Sequence, residues 1–469
     1  MENCEILVSE QNISVGDATF YIKKPGKNEI KHINKTGSMS LTFRSVTNFI
    51  REIFLPVGYP ESVSEDYWNY QVWDTAQAFC STIIGAFTTR SILKGVGVGN
   101  QEANALSAAV TWILKDGMGM IGRIVFAWWK GSFLDTDCKK WRFFADILND
   151  AAMCIELCLP YFSNYSMELL CVTSSMKSIV GVAGGATRAS ITHHQAIKDN
   201  MAEISAKDGT QETLVNLVGS ILSIYLLNVF TDTTSEWLLI FTLMFLHLLT
   251  NYWAVKSLVF RTFNEQRLTL VLKSYFSIGT VLSPAKINES ERILLGRGMN
   301  VRQICGFNIY TGVSLKKILR NWSAVDFKEL VSIHKEYNYL ILVNLHVRKI
   351  YIIISKGESA ESLIAAKFHA VCLAIATCIF NNIYLDVYDK RHRNHRTPIT
   401  KLISFMRAYQ TSSMLMNIPF NHLLELQDFI KQEYQMFYTA LQVNGWNLNS
   451  HALNIGQYRC DWKSIKKIN

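Results

Sequence analysis

Lys177 and Arg188 are the residues near the middle of this chain whose type and spacing could act on an anion. Around them Ser174, Ser178, Gly181, Gly185 and Ala189 recur at steps of four, three, four and four, which places small side chains on one helical face. At about 100° of rotation per residue, both cations fall along an edge of that face, eleven residues or roughly 16 Å apart. A smooth strip with a cation near each end suits an elongated anion. The Gly181-x-x-x-Gly185 spacing equally suits close packing of a second helix, with the two basic residues snorkelling at the water boundary.

Other constellations point away from chemistry. Gly117, Gly119 and Gly122 spell GxGxxG, but no strand precedes them, and the run ends in Trp128, Trp129 and Lys130, an aromatic and basic bilayer-boundary pattern. Asp116 and Arg123 share a face of that segment. Asp146, Asn149 and Asp150, with Cys154 a turn later, could hold a metal; an ion pair from Arg142 to Asp146 is the simpler account. His193 and His194 point some 100° apart on a helix, so with Glu203 they make a poor metal site. Asp208, followed by Gln211 and Glu212, reads as a helix N-cap. The glycines of Gly95 to Asn100 read as a turn, and the basic run from Lys390 to Arg396 as a solvated loop without an aromatic platform for nucleic acid. No nucleophile, base and orienting group stand at a recognisable spacing. The expectation is therefore no enzyme, no catalytic residues, no metal, no nucleic acid partner and an open question as to any cofactor.

The elements that must position Lys177 and Arg188 are apolar helices. Leu214 to Phe230 and Trp237 to Phe260 form the clearest spans, joined by so short a link that an antiparallel hairpin is predicted. Folding about that link pairs Asn216 with Asn251 and Ser220 with His247 at equal depth, as interhelical hydrogen bonds or as a polar pathway. The link carries Asp232 and Glu236, whereas Lys198, Lys207, Lys256 and Arg261 flank the pair; both ends of the hairpin are predicted to face the cytosol.

Composition agrees with a protein partly in lipid and partly in water. Hydrophobic residues make up 49% and charged residues 18% of 469, and the mean hydropathy is +0.11. The net charge of +9 suits anionic headgroups without deciding between partners. The ten cysteines form no CxxC pair and read as core residues of a reduced compartment. Glu2, Glu5 and Glu10 argue against a secretory signal or an acid-poor transit peptide at the start.

The expected fold is mainly α, with a polytopic helical membrane domain followed by a small α+β domain. Residues 1–53 read as a polar lead-in with one short strand at Ala18 to Lys23, residues 54–276 as the membrane-associated domain, and residues 277–469 as the α+β domain in the cytosol. In the last, Tyr339 to His346 and Lys349 to Ser355 suggest a strand pair, Ala360 to Phe380 and Leu423 to Val443 helices, and Trp446 to Trp462 a terminal strand or two. Glu361, Lys367 and His369 favour a buried helix over a span at Ala360 to Phe380.

The run from Lys177 to Ala189, continuing through His193 to Leu217, resembles the root UVB sensitive family of eukaryotic membrane-associated proteins. Further blocks carry the resemblance at Gly58 to Asp74, Leu114 to Gly131, Lys139 to Ala152 and Asn251 to Leu258. It implies an integral membrane location, the organelle or plasma membrane being open, and a partner in the lipid bilayer or in a homo- or hetero-oligomer with another family member. It also implies a role in UV-B responses or vitamin B6 homeostasis, and offers no catalytic residue to carry over. The function expected is binding or transport of a small anionic metabolite at Lys177, Gly181, Gly185 and Arg188. The alternative is a membrane scaffold whose C-terminal domain recruits a soluble partner.

Overall fold

The computed structural model describes residues 5–11, 18–23, 30–35, 41–96, 105–319, 323–385, 388, 397–409 and 416–462. They are mainly helical and fall into two compact units, one of Met1–Gly131 with Trp141–Leu258 and one of Ser132–Lys140 with Val259–Asn469. Most of the predicted turn at Gly95 to Asn100 and the basic run from Lys390 to Arg396 lie outside the described residues.

The first unit opens with an antiparallel meander of β1 (Glu5–Gln11), β2 (Ala18–Lys23) and β3 (Ile30–Lys35), in which Phe20 is in register with Ile33 along the backbone. Helix α1 (Leu41–Phe54) follows. The lead-in thus holds three strands and a helix where one strand was expected. A strand of six or seven residues is stable only when paired, and that pairing is not written in the strand's own residues.

Helices α2 (Tyr67–Gly95), α3 (Ala105–Lys130), α4 (Cys138–Leu157), α5 (Ser166–Gln195), α6 (Met201–Val229) and α7 (Thr233–Ser257) complete the unit. Helix α3 packs along α5, and α2 packs along both α6 and α7. The expected hairpin of α6 against α7 is corrected by α2. Gly219 lets α2 close in: a Cβ there would stand 3.1 Å from the Thr82 side chain. Asn216 of α6 and His247 of α7 then find partners on α2. Helix α6 begins at Met201, after a break at residues 196–200, so Asp208 lies inside α6 rather than at the N-cap expected of it.

In the second unit α8 (Glu265–Ile278), α9 (Pro284–Ser290), α10 (Val301–Cys305), β4 (Asn308–Thr311), α11 (Leu315–Ile318), α12 (Ala324–Ile333), β5 (Tyr339–Asn344), β6 (Lys349–Ile354), α13 (Ala360–Phe380), α14 (Pro398–Arg407) and α15 (Phe420–Val443) succeed one another. The sheet order is β4-β6-β5, with the predicted β5 and β6 pair antiparallel and β4 added parallel to β6. Where terminal strands were expected, only bridges form, at His451 and Cys460, and Trp446 stacks on Phe263 at 4.2 Å.

Four described stretches are long and apolar enough to cross a membrane: Ser163–Gln195, Met201–Val229, Thr233–Ser257 and Ala360–Phe380. Their surroundings separate them. The window in α13 is 89% buried, against 17%, 11% and 39% in the other three. Phe368 of α13 packs on Phe276 of α8 at 5.7 Å and on Phe437 of α15 at 4.9 Å, so α13 is the core of its unit. By contrast α3, α6 and α7 turn Ile113, Met120, Ile124, Ile221, Ile224 and Phe245 outward.

Candidate functional site

Three helices of the first unit aim polar stripes at one another. Helix α2 presents Tyr70, Asp74 and Gln77, α4 presents Arg142, Asp146 and Asp150, and α7 presents His247 and Asn251, each set at helical spacing. Gln77 Nε2 donates to Asp146 Oδ2 at 2.9 Å and lies 3.1 Å from His247 Nε2. An amide nitrogen only donates, so the imidazole receives at Nε2 and carries its proton on Nδ1, 3.0 Å from Asp150 Oδ2. Arg142 Nη2 reaches Asp74 Oδ1 at 2.8 Å, and the Tyr70 hydroxyl donates to the same oxygen at 3.2 Å. His247 is 0% exposed, and Gln77, Asp146 and Asp150 are buried with it. Asn251, one turn on, is buried with neither amide atom partnered among the described residues.

Ionisable groups taken out of water persist when paired, and within apolar helices such groups mark solute or proton pathways. The Gln77 amide links Asp146 to His247, and His247 in turn reaches Asp150. The sequence-based pairing of Arg142 with Asp146 is replaced by Arg142 with Asp74, because α2 brings a carboxylate within reach. The polar pairs expected across α6 and α7 are likewise not formed: Asn216 Oδ1 accepts from Thr82 Oγ1 at 2.7 Å, Ser220 is exposed, and His247 engages α2 and α4. Tyr70, Asp74 and Gln77 were missed. Their recurrence at i, i+4 and i+7 in an apolar helix was the available signal.

The small-residue face of α5 serves two ends. Near its start it is a packing seam: a Cβ on Gly119 of α3 would stand 2.7 Å from Ser174 Oγ and 2.9 Å from Ser178 Oγ. Further along, Gly181 and Gly185 are exposed, and a Cβ on Gly185 would meet nothing within 4 Å. Lys177 pairs with Glu156 of α4, whose side chain is 2% exposed. Arg188 Nε lies 2.7 Å from Asp208 Oδ2, and its Nη1 lies 2.7 Å from Glu212 Oε2 on α6. The two cations keep 39% and 37% of their side-chain surface open.

The residues weighed for metal binding go to separate partners. His194 Nε2 lies 2.9 Å from Asp66 Oδ2, and Glu203 Oε1 accepts from the Val57 amide at 2.7 Å. No cluster able to hold a metal occurs among the described residues.

The family model described as "Vitamin B6 photo-protection and homoeostasis domain" matches residues 41–279, and the one described as "Root UVB sensitive protein, C-terminal" matches residues 280–462. The chain belongs to the root UVB sensitive family. The first match encloses the whole carboxylate and imidazole chain and all of α5. Among family relatives, RUS family member 1 of Dictyostelium discoideum is 46% identical over 278 residues, 58% of this chain and 51% of that protein. This chain thus aligns with about half the length of that relative. Protein root UVB sensitive 3 of Arabidopsis thaliana is 33% identical over 340 residues, 71% of this chain and 76% of that one. Root UVB sensitive 6 of the same plant is 24% identical over 436 residues, 92% of this chain and 81% of that one. No solved structure matches.

Proposed function

We propose that the chain is a multi-pass membrane protein that binds or moves a small anionic metabolite, with α5, α6 and α7 crossing the bilayer. The carrying observation is the open end of the α5 face. Two cations flank bare glycines there with over a third of their side-chain surface accessible, while Glu156 and Asp208 are held at 2% and 11% exposure and Glu212, the second partner of Arg188, at 44%. An incoming anion can share Lys177 and Arg188 without displacing the carboxylates that neutralise them. The buried Asp146 carboxylate, held by Gln77 beside His247, supplies a place for proton uptake to offset the arriving negative charge. The outward apolar faces of α3, α6 and α7 support placement in lipid.

The description of the matching family domain makes a vitamin B6 phosphate the first ligand to test. The experiment is equilibrium binding of pyridoxine 5′-phosphate to the full chain in nanodiscs, with inorganic phosphate as comparison. Lys177→Ala and Arg188→Ala should each weaken binding about tenfold, as loss of one charge-assisted hydrogen bond does. Unchanged binding in both variants would remove the assignment from these residues. A change in cellular vitamin B6 levels on deleting the C-terminal unit, with binding intact, would favour a scaffold.

A further inference from the structure

The second unit contains a cavity of about 530 Å³ unconnected with the reading above. Apolar and polar residues share its walls, with Ile333 at the end of α12, Ile341 and Leu345 at β5, Leu373 on α13 and Ile418 before α15 among the apolar ones. A volume of this size suits a small organic ligand. At one side stand two stacked imidazoles, His334 and His369, with ring centroids 5.7 Å apart and planes at 20°.

The His334 ring is polarised by its own helix. Its Nδ1 is 3.0 Å from the Leu330 carbonyl oxygen and so carries the proton. Nε2 then offers a lone pair, and it is buried with no partner among the described residues, on a residue only 3% exposed. A buried acceptor left unmade is unfavourable, so the wall calls for a donor. Asp326 and Glu329 also line the cavity, and among the described residues no Lys or Arg does, so its field disfavours an anion.

We propose that this cavity binds a small apolar molecule bearing a hydroxyl and no negative charge, the hydroxyl donating to His334 Nε2. Burial pushes the imidazole down to about 4 despite the Leu330 carbonyl, so the acceptor persists at neutral pH. The class is opposite in charge preference to the anion proposed for α5, and either assignment can fail alone.

The test is a saturation-transfer NMR titration of the detergent-solubilised full chain with four matched probes: 4-ethylphenol, tyramine, phenethylamine and 4-hydroxyphenylacetate. Both uncharged and cationic phenols should bind, tyramine about tenfold more tightly than phenethylamine, which lacks the hydroxyl. The carboxylate probe should bind most weakly. His334→Phe should erase the difference between tyramine and phenethylamine, and Leu373→Trp should block all four while the thermal midpoint is retained. Absence of phenol binding, equal affinity of tyramine and phenethylamine for the unmodified protein, strongest binding of the carboxylate, or full binding in a folded Leu373→Trp protein would each overturn the proposal.

Discussion

Gln77 Nε2 stands 3.1 Å from His247 Nε2 while also donating to Asp146. One amide group therefore fixes the tautomer of a buried imidazole and satisfies a buried carboxylate. Replacing it with Leu keeps the volume and strands both neighbours. Gln77→Leu should lower stability by about 2–4 kcal/mol, the range for buried polar groups left unpaired. Thermal unfolding in detergent checks this, with exposed Ser220→Leu as the neutral control.

Gly119 and Gly117 lie two residues apart on α3 and should respond oppositely to Ala. At Gly119 the new methyl meets Ser174 and Ser178 of α5, and overpacking of this kind costs about 1–3 kcal/mol. At Gly117 nothing lies within 4 Å, so Ala should stabilise the helix by about 0.5–1 kcal/mol. The two thermal midpoints, measured side by side, decide whether α3 and α5 pack this closely.

Glu291 gathers Arg267 Nη1 at 3.1 Å, Lys139 Nζ at 3.2 Å and Asn264 Nδ2 at 2.9 Å. Burial would raise its carboxyl, but the two cations and the amide overcome this and bring it from 4.5 down to about 2. A depressed carboxyl stabilises the folded state above its unfolded value, and that contribution is lost as pH falls from about 4.5 through about 2. The loss should be on the order of 3 kcal/mol. Denaturation followed from pH 6 to pH 2 should show it, and Glu291→Gln should remove the slope while destabilising the protein by about 3–5 kcal/mol at neutral pH.

The link from α6 to α7 and the C-terminus should lie on opposite sides of the membrane. An epitope inserted between Thr231 and Asp232 should be inaccessible from the cytosol, and one after Asn469 accessible. Cytosolic labelling of the link alone would invert the topology read from the flanking basic residues, and labelling of both would mean that α7 does not cross.

Much of the helical framework was legible. Residue spacing located α5, the second half of α6, α7 and α15, and Glu361, Lys367 and His369 marked α13 as interior before its burial was visible. Lys367 indeed reaches Glu265 at 2.7 Å, and His369 stacks on His334. The partners of the polar residues were not legible. Counting depth along two consecutive helices paired Asn216 with Asn251, but only three-dimensional packing shows that α2 intervenes and takes Asn216 by way of Thr82.

From the residues alone came family membership, the long apolar helices, the cations on the α5 face and the two-part composition, because each is carried by local spacing or by extended similarity. The tertiary structure alone decided which carboxylate meets which cation, that Gln77 joins Asp146 to His247, and that His334 faces a cavity with an unmet lone pair. These depend on contacts between residues far apart in the chain, 170 positions for Gln77 and His247, and helical periodicity specifies a face without specifying what covers it.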